Sequence, residues 1–375
     1  MTNQSICVVT FPVESAGVMP VSNLVEVLLK QSNNTLYVIT GNKGSKVSNI
    51  DARVRVTSIS HQPKKNISSR SISYAITQIR ISLSMLKVAK NVDEWLFFIG
   101  GELLILPIVS AKLTRKPTIL LLSGSPLKKQ LNSQKNWMRS VIFLISEFNR
   151  ILCDKLIVYS SILISEWNLE KYRHKILITH RHFLNFNTFT ITAPLPDRPP
   201  LIGYIGRLSE EKGVQHFAQA LPTILSNQKD LRASIAGEGQ LKESIEAFLE
   251  ERGVTARVDL PGWISHDDLP NYLNQLRLLI LPSYTEGLPN IMLEAMACGT
   301  PVLATPVGAI PDVIIDSKTG FIMENNSPEC IAENVIRALN SPDLEHIAEV
   351  GRRFVEENFT FERVVERWKE VLEEI

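Results

Sequence analysis

The stretch "SYTEGLPNIMLEAMACGTPVLAT", from Ser283 to Thr305, contains most of the information about the fold. The apolar run "LLILPS" leads into it and predicts a buried strand. The Gly/Pro turn "YTEGLP" then precedes a helix that we expect to have Pro289 near its first position and to end by Gly299. The run "PVLAT" predicts a second strand. Strand, helix and strand in this order are typical of a parallel sheet covered by helices.

This segment carries two carboxylates, Glu286 in the turn and Glu294 inside the helix. Glu286 lies at the carboxyl end of the predicted strand, where open α/β sheets bind ligands. The helix N-terminus that follows has unpaired backbone N–H groups and a partial positive charge, which suit a phosphate or diphosphate. The residues of the turn and first helical turn that we place at this ligand are Gly287, Leu288, Asn290 and Ile291.

Glu294 could accept hydrogen bonds from both hydroxyls of a ribose next to the diphosphate, and Glu286 would then face a sugar. The alternative is a loop charge at Glu286 and a solvent-exposed helix residue at Glu294. The helix is too apolar on all sides for the alternative, since a carboxylate in such surroundings needs a partner. The apolar neighbours of Glu294 are Ile291, Met292, Leu293, Ala295, Met296 and Ala297.

A second strand-to-helix turn, "GYIGRLSEEKG" from Gly203 to Gly213, carries the cations Arg207 and Lys212. Guanidinium and ammonium groups beside a glycine-rich turn suit a diphosphate, where they would neutralise the charge of a leaving nucleotide. Alternatively, both cations pair with surface acids such as Glu210 and Glu211. We expect Arg207 and Lys212 to converge on the phosphates proposed for the first turn.

Short apolar runs alternate with helical stretches along the whole chain of 375 residues, which is too long for one ordinary core. The proline-rich segment "APLPDRPP" near Ala193 is typical of a linker. We therefore predict two doubly wound, Rossmann-like domains, residues 1–190 and residues 191–360, that face each other across a cleft. The apolar stripe of the last helix, within 361–375, predicts that this helix packs back on the first domain.

The net charge of +1 conceals two halves of opposite sign. Residues 1–190 contain 24 Lys/Arg and 10 Asp/Glu, a net +14, whereas residues 191–375 contain 16 and 29, a net −13. Two long runs in the first half, 52–92 and 103–146, have no acidic residue. Such a basic field attracts anionic lipid surfaces, phosphorylated acceptors or nucleic acid, although it could equally be a solubilising surface that docks the acidic half.

The scattered cysteines lack metal or redox spacing and suit a reducing compartment, and the amino terminus has no basic segment typical of a secretory signal. The most apolar stretch, from Trp95 to Leu113, contains Gly, Glu and Pro residues and predicts a strand, a turn and a helix rather than a membrane span. The stretch "SSRSISYAITQIRISLSMLKVAK" has apolar and basic residues at helical spacing. A surface-lying helix would show this pattern, but we favour a core role for its apolar face.

Several motifs of the second half resemble family 4 of the retaining GT-B glycosyltransferases, the glycosyl transferases group 1. They are "GRLSEEKG", "GEG" at Gly237–Gly239, "PGWIS" at Pro261–Ser265, the E-x7-E spacing of Glu286 and Glu294, and "GTPVLATPVGAIPDVI". The resemblance implies that Arg207 and Lys212 hold the donor diphosphate, that Glu294 holds the ribose and that Glu286 contacts the transferred sugar. It also places Gly237 at the donor, Gly262, Trp263 and Ile264 along the base, and Gly308 near the sugar.

The resemblance of the first half is weaker. "ESAGVMPVSNLVEVL" looks like the family's glycine-rich loop after the first strand, which implies that Gly17 approaches the donor. Many relatives have a histidine after a later strand, where this chain has Ser123, Gly124 and Ser125. His180 and His182 fit structural or acceptor-lining roles better than catalysis. We expect the other five histidines to have surface or capping roles.

These observations predict a retaining glycosyltransferase that moves a sugar from a UDP- or GDP-linked donor to a lipid-linked or glycan acceptor. The resemblance implies that no metal or other cofactor is needed and that the leaving phosphate oxygen takes the acceptor proton on the same face. We expect a cytoplasmic location, with peripheral contact to the inner face of the membrane. The alternatives are a nucleotide-sugar epimerase of the same fold and a non-catalytic nucleotide-sugar-binding protein. A nucleic-acid partner is not favoured because a recognition motif is missing, and a dehydrogenase would need G-x-G-x-x-G.

Overall fold

The computed structural model describes residues 4–62, 66–124 and 136–375. The chain forms two compact units, Met1–Arg181 together with Val364–Ile375, and His182–Arg363. The sequence places the domain boundary later, between residues 190 and 191. Ser125, named above, lies outside the described part of the chain, as do five lysines of the two acid-free runs: Lys64, Lys65, Lys128, Lys129 and Lys135.

The first unit contains a seven-stranded sheet in which all pairs are parallel. Its strands are β1 (Ile6–Val9), β2 (Leu36–Thr40), β3 (Val54–Ser58), β4 (Glu94–Phe97), β5 (Thr118–Leu121), β6 (Lys155–Val158) and β7 (Ile176–Ile178). Their order across the sheet is β3-β2-β1-β4-β5-β6-β7. The central strands β1, β4 and β5 are buried along their whole length, because helices cover both faces of such a sheet.

Helices connect these strands on both sides of the sheet. They are α1 (Ser15–Leu29), α2 (Ile67–Val88), α3 (Ile105–Leu113), α4 (Asn136–Leu152) and α5 (Ile162–Glu166). Parallel connections are almost always right-handed, and the chain moves across the sheet in one direction from β3 through β4 and β5 to β6. It follows that α2, α3 and α4 cover one side, whereas α1 covers the other. Among the described residues, no helix is both long enough and apolar enough to cross a membrane.

The last helix, α12 (Phe361–Glu373), contributes its residues from Val364 onward to the first unit. Its Trp368 is fully buried and donates its indole N–H to the carbonyl of His180 at 2.9 Å. Gln31, just after α1, donates to the carbonyl of Val365 at 2.6 Å. The last helix is therefore held by hydrogen bonds to two segments of the first unit.

The second unit contains a six-stranded parallel sheet with the order β10-β9-β8-β11-β12-β13. Its strands are β8 (Leu201–Ile205), β9 (Arg232–Ala236), β10 (Val258–Gly262), β11 (Leu278–Leu281), β12 (Val302–Ala304) and β13 (Phe321–Ile322). The helices are α6 (Val214–Asn227), α7 (Lys242–Glu251), α8 (Leu269–Leu273), α9 (Asn290–Ala297), α10 (Pro328–Leu339) and α11 (Leu344–Asn358). The prediction of two doubly wound, Rossmann-like sheets is confirmed.

The proline-rich segment predicted as a linker belongs to the second unit instead. It forms a short turn at Leu195–Asp197, after which the side chain of Arg198 is buried. Arg198 donates to the carbonyls of Leu276 at 3.0 Å and Cys298 at 2.7 Å, and to the hydroxyl of Thr300 at 2.8 Å. Burial lowers the pKa of Arg198 to about 10. Buried hydrogen bonds to a cation anchor this segment, which composition alone does not reveal.

Replacing Arg198 with Met should destabilise the second unit. The substitution keeps much of the volume but leaves buried acceptors without a donor, so we expect the free energy of unfolding to fall by about 3 kcal/mol or more. Urea denaturation measures the loss. In the control Arg232→Met, an exposed ion pair with Asp259 is removed, and the loss should stay below about 1 kcal/mol. Equal losses in the two variants would contradict the anchoring role of Arg198.

Candidate functional site

The second sheet reverses its strand order between β8 and β11. Loops leave two such strands in opposite directions and open a crevice at their carboxyl ends, where α/β proteins bind ligands. The loop after β8 carries Lys212, and the loop after β11 carries Glu286. Both of these predicted site residues therefore lie at the switch point of the second unit.

Lys212 and Glu286 form an ion pair at this switch point. The ammonium nitrogen of Lys212 lies 2.6 Å from Oε1 of Glu286, and the hydroxyl of Ser283 donates to the same oxygen at 2.8 Å. The Glu286 side chain is 9% exposed and the Lys212 side chain 26% exposed. Partial desolvation strengthens the electrostatic attraction between the two charges of such a hydrogen-bonded pair. The carboxylate is therefore held in one position by donors from two loops.

Two glycines allow the loops around this pair to pack closely. Gly213 has a φ of 65°, and a Cβ there would lie 2.0 Å from the carbonyl oxygen of Pro282. Gly308, after β12, has a φ of 64°, and its Cβ would lie 2.4 Å from the carbonyl oxygen of Glu286. Only glycine fits both the left-handed backbone and the close approach. The loops after β8, β11 and β12 are therefore one packed structure around Glu286.

The N-terminus of α9 follows this loop directly. Pro289 is the N-cap, with φ −74° and ψ 120°, so the helix begins one residue later than the predicted Pro289 start. The proline ring accepts this φ, but the extended ψ keeps Pro289 outside the helix. The first turn has no acidic residue and no side-chain cap. Its partial positive charge is therefore available beside Glu286, with Leu288 buried and Asn290 and Ile291 half-buried.

Glu294 lies further along α9 and is buried. Its carboxylate is paired with His266, whose Nε2 lies 3.3 Å from Oε1 of Glu294. The hydrogen bond that His266 donates to Glu294 raises the pKa of His266 above its ordinary value. The ring of Phe189 meets the imidazole edge-on at 5.5 Å between centroids. The buried position agrees with the predicted need for a partner.

The sequence did not single out His266, which follows β10 in the segment "PGWISH". We expected His266 and His216 to have only surface or capping roles. In the structure, His216 lies 3.1 Å from the hydroxyl of Tyr284, in the same loop as Glu286. Open α/β sheets bind ligands at the carboxyl ends of their strands. Both histidines follow a strand of this sheet, so this rule, applied to every strand, could have identified them as candidate site residues.

Arg207 does not join the Lys212–Glu286 pair in the structure. Its guanidinium pairs instead with Glu211 at 3.1 Å, and the side chain is exposed. Arg207 and Lys212 therefore do not meet in the structure, where the alternative of a surface pair applies to Arg207, and their convergence on a diphosphate stays a prediction. Exposed pairs of this kind contribute only about 0.3–0.5 kcal/mol, so the guanidinium can reorient at little cost.

The remaining predicted residues occupy other strand ends. The backbone N–H of Gly237 donates to the carbonyl of Gly262 at 2.7 Å, which joins the ends of β9 and β10. Trp263 follows and is 75% exposed, whereas Ile264 is half-buried. Gly17 belongs to the first unit and lies in the first turn of α1 rather than in the preceding loop. The roles predicted for these residues stay predictions.

Comparison with known proteins supports this description of the second unit. Residues 188–354 match the model of the family described as Glycosyl transferases group 1. The alpha-D-kanosaminyltransferase of Streptomyces kanamyceticus is 33% identical over 156 residues, which cover 41% of this chain and 40% of that protein. The GDP-mannose-dependent monoacylated alpha-(1-6)-phosphatidylinositol monomannoside mannosyltransferase of Corynebacterium glutamicum is 27% identical over 185 residues, 47% of this chain and 48% of that protein. The chain thus matches less than half the length of these relatives.

Similarity to solved structures extends over both units. The crystal structure of HepE from Anabaena in complex with UDP and glucose has a TM-score of 0.76 at 15% identity and covers 99% of this chain and 100% of that chain. The chain therefore has the GT-B fold, as predicted. The match of residues 188–354 to Glycosyl transferases group 1 confirms the resemblance that the motifs of the second half show.

The His266–Glu294 pair predicts a pH-dependent stability. A raised pKa in the folded state means that the pair stabilises fully below about pH 6.5 and loses this contribution as the pH rises through the raised value. The melting temperature of His266→Gln should therefore fall below that of the native chain at about pH 5.5 and approach it at about pH 9. Thermal unfolding by circular dichroism measures both.

The exposed His346 on α11 gives a matched control for this experiment. The difference in melting temperature between His346→Gln and the native chain should be the same at both pH values. If the melting temperature of His266→Gln falls further below that of the native chain as the pH rises, the protonated imidazole does not stabilise the protein through Glu294.

Proposed function

We propose that the protein is a retaining glycosyltransferase that moves a sugar from a nucleoside-diphosphate sugar to an acceptor hydroxyl. The observation that carries the proposal is the 2.6 Å pair of Lys212 and Glu286 at the switch point, beside the N-terminus of α9. A cation, a helix dipole and a carboxylate at one strand end provide groups for both parts of such a donor, the anionic diphosphate and the hydroxylated sugar.

The diphosphate is the part of the donor that Lys212 and α9 suit best. An ammonium group has three donors, and the contact with Glu286 uses one of them. The other two can reach phosphate oxygens, together with the backbone N–H groups of Asn290 and Ile291 at the start of α9. Arg207 can leave its surface partner Glu211 and add a second cation.

The two carboxylates suit the two sugar rings of the donor. Glu294 would accept hydrogen bonds from the ribose hydroxyls. His266, in the loop after β10, would hold the Glu294 carboxylate in the orientation that this requires. Glu286 would accept from a hydroxyl of the transferred sugar, since both of its described hydrogen bonds go to Oε1 alone. Gly262, Trp263 and Ile264, at the end of β10, would line the base, with Gly237 beside them.

The reaction needs one bond to break and one to form at the anomeric carbon. The bond from this carbon to the diphosphate oxygen breaks, and the acceptor oxygen bonds to the carbon on the same face. The acceptor proton passes to the departing phosphate oxygen, so no protein base is required. Lys212, Arg207 and the N-terminus of α9 stabilise the negative charge that develops on the leaving group. These groups supply the positive charge that a metal ion would otherwise provide, so we propose metal-independent transfer.

The acceptor is a lipid-linked molecule or a glycan in this proposal. The Corynebacterium relative is named for a phosphatidylinositol mannoside acceptor, which supports the lipid option, and for a GDP-linked donor. The HepE structure holds UDP, so a UDP- or GDP-linked sugar is proposed here. We propose a cytoplasmic protein that meets its acceptor at the membrane surface.

Removing the Glu294 carboxylate should weaken donor binding. We expect at least one UDP- or GDP-linked sugar to raise the melting temperature of the native chain and Glu294→Gln to raise the Kd about tenfold, the effect of losing hydrogen bonds to a charged acceptor. Titration calorimetry measures the Kd. Glu333→Gln, an exposed carboxylate on α10, is the matched control and should bind like the native chain. A panel of nucleotide sugars without effect on the native chain would refute the donor site.

Lys212→Met should reduce turnover more than donor binding. We expect kcat for donor cleavage to fall by about 100-fold to 1000-fold, as when one preorganised donor to a developing negative charge is lost. The control is Lys229→Met, an exposed lysine of the same unit. Release of the nucleoside diphosphate measures the rate, and NMR of the released sugar separates transfer or hydrolysis from epimerisation. Unchanged turnover in Lys212→Met would contradict its role, and binding without any turnover would indicate a non-catalytic protein.

A further inference from the structure

Helix α2 exposes a regular row of aliphatic side chains. Its members recur at intervals of four and three residues and are 43–62% exposed: Ile72, Ile76, Ile79, Leu83 and Leu86. The opposite face of α2, with Ile81 and Met85, is buried. The sequence favoured packing of this apolar face in the core, and the structure shows that most of its large aliphatic residues point to solvent.

Helices α3 and α4 expose apolar residues as well. On α4 they follow helical spacing and comprise Val141, Phe143, Leu144, Phe148 and Ile151, and on α3 they are Leu106 and Leu113. Exposed apolar residues scattered singly are normal on proteins, but a contiguous apolar surface marks an interaction site. The arrangement of the three helices therefore decides whether these rows form one surface.

Hydrogen bonds connect the three helices side by side. The hydroxyl of Tyr74 on α2 donates to the carbonyl of Leu103 at 2.8 Å, and Gln78 on α2 accepts from the backbone N–H of Leu106 on α3 at 3.1 Å. The Asn149 amide on α4 donates to the carbonyl of Glu102, just before α3, at 3.0 Å. Because the crossover geometry places all three helices on one side of the sheet, their exposed rows lie on the same side of the first unit. We name this surface the α2–α4 face.

Positive charge accompanies these apolar rows. Arg80 and Lys87 are exposed on α2, each one helical turn beyond a member of its aliphatic row. Further exposed cations on or next to the three helices are Arg70, Lys90 and Arg115. The runs 52–92 and 103–146 contain no acidic residue.

The acids close to the α2–α4 face are neutralised by cations. Glu102 is buried against Arg150, and Glu147 on α4 pairs with both Arg150 and Lys171. The face is therefore apolar and basic in its described part.

We propose that the α2–α4 face is a docking surface for an anionic lipid bilayer. A helix with an apolar row and flanking basic residues lies in the plane of the membrane interface, with its apolar side chains among the acyl chains and its cations at the headgroups. At 22 residues, α2 would contact about 33 Å of such a surface.

The positive charge of the α2–α4 face favours a bilayer over a second copy of the chain as its partner. A symmetric dimer through this face would bring the same patches together, with cations facing cations. The acid-free runs offer no carboxylate to pair with them. An anionic bilayer complements both properties of the face, its apolar rows and its positive charge.

Vesicle sedimentation with the full chain tests the proposal, with no nucleotide present. The native chain should bind vesicles of phosphatidylglycerol and phosphatidylcholine in equal parts at least about tenfold more tightly than vesicles of phosphatidylcholine alone. The variant Arg80→Glu/Leu83→Glu should lose at least about tenfold of this affinity, because it reverses a charge and removes an inserted side chain. Thermal unfolding checks that the variant is folded.

The matched control is Lys229→Glu/Ile315→Glu, which makes the same change of charge and apolar surface at exposed positions of the second unit. It should bind vesicles like the native chain. No preference of the native chain for anionic vesicles, or equal losses in both variants, would overturn the proposal. A native dimer that Arg80→Glu/Leu83→Glu converts to monomer would show a self-association surface instead. Donor binding by the second unit is measured separately, so a failed docking surface and a failed donor site remain distinguishable.

Discussion

The ion pair between Lys212 and Glu286 is the constraint on which the rest of the second unit's ligand-binding edge depends. It joins loops that leave β8 and β11 in opposite directions, at the point where the strand order reverses. Breaking the pair by removing Lys212 would leave a largely buried carboxylate without its cation, which proteins tolerate poorly. The close packing at Gly213 and Gly308 brings the loops near enough for this pair. Loop backbone and side-chain charge are thus fixed together.

The two carboxylates of the E-x7-E motif have different surroundings. Glu286 lies before the helix, where a cation and a hydroxyl hold it. Glu294 lies inside α9, about 6 Å further along the axis than Asn290, and contacts a histidine from another strand end. Glu286 therefore lies in the loop before α9, whereas Glu294 lies within the helix.

The sequence predicted the features that depend on local order along the chain. Alternating strands and helices imply parallel sheets, and loops at the carboxyl ends of strands imply the places of Lys212 and Glu286. Features that depend on contacts between distant segments escaped it. The partner of Glu294 and the exposed side of α2 are decided by tertiary packing, which helical periodicity does not report. An apolar row along a helix indicates that the row is covered. It does not tell whether the protein core or a binding partner covers it.

Residues 191–375 have a net charge of −13, yet the proposed donor is an anion. Local geometry outweighs this field because charges more than about 8 Å away are largely screened at physiological ionic strength. The nearest acids of the loops are engaged, since Glu211 pairs with Arg207 and Glu286 with Lys212. The groups nearest to a diphosphate at the start of α9 would therefore be backbone N–H groups and the ammonium group of Lys212. The basic first unit has the opposite character, because a broad field of exposed cations acts on an extended anionic surface rather than on one bound molecule.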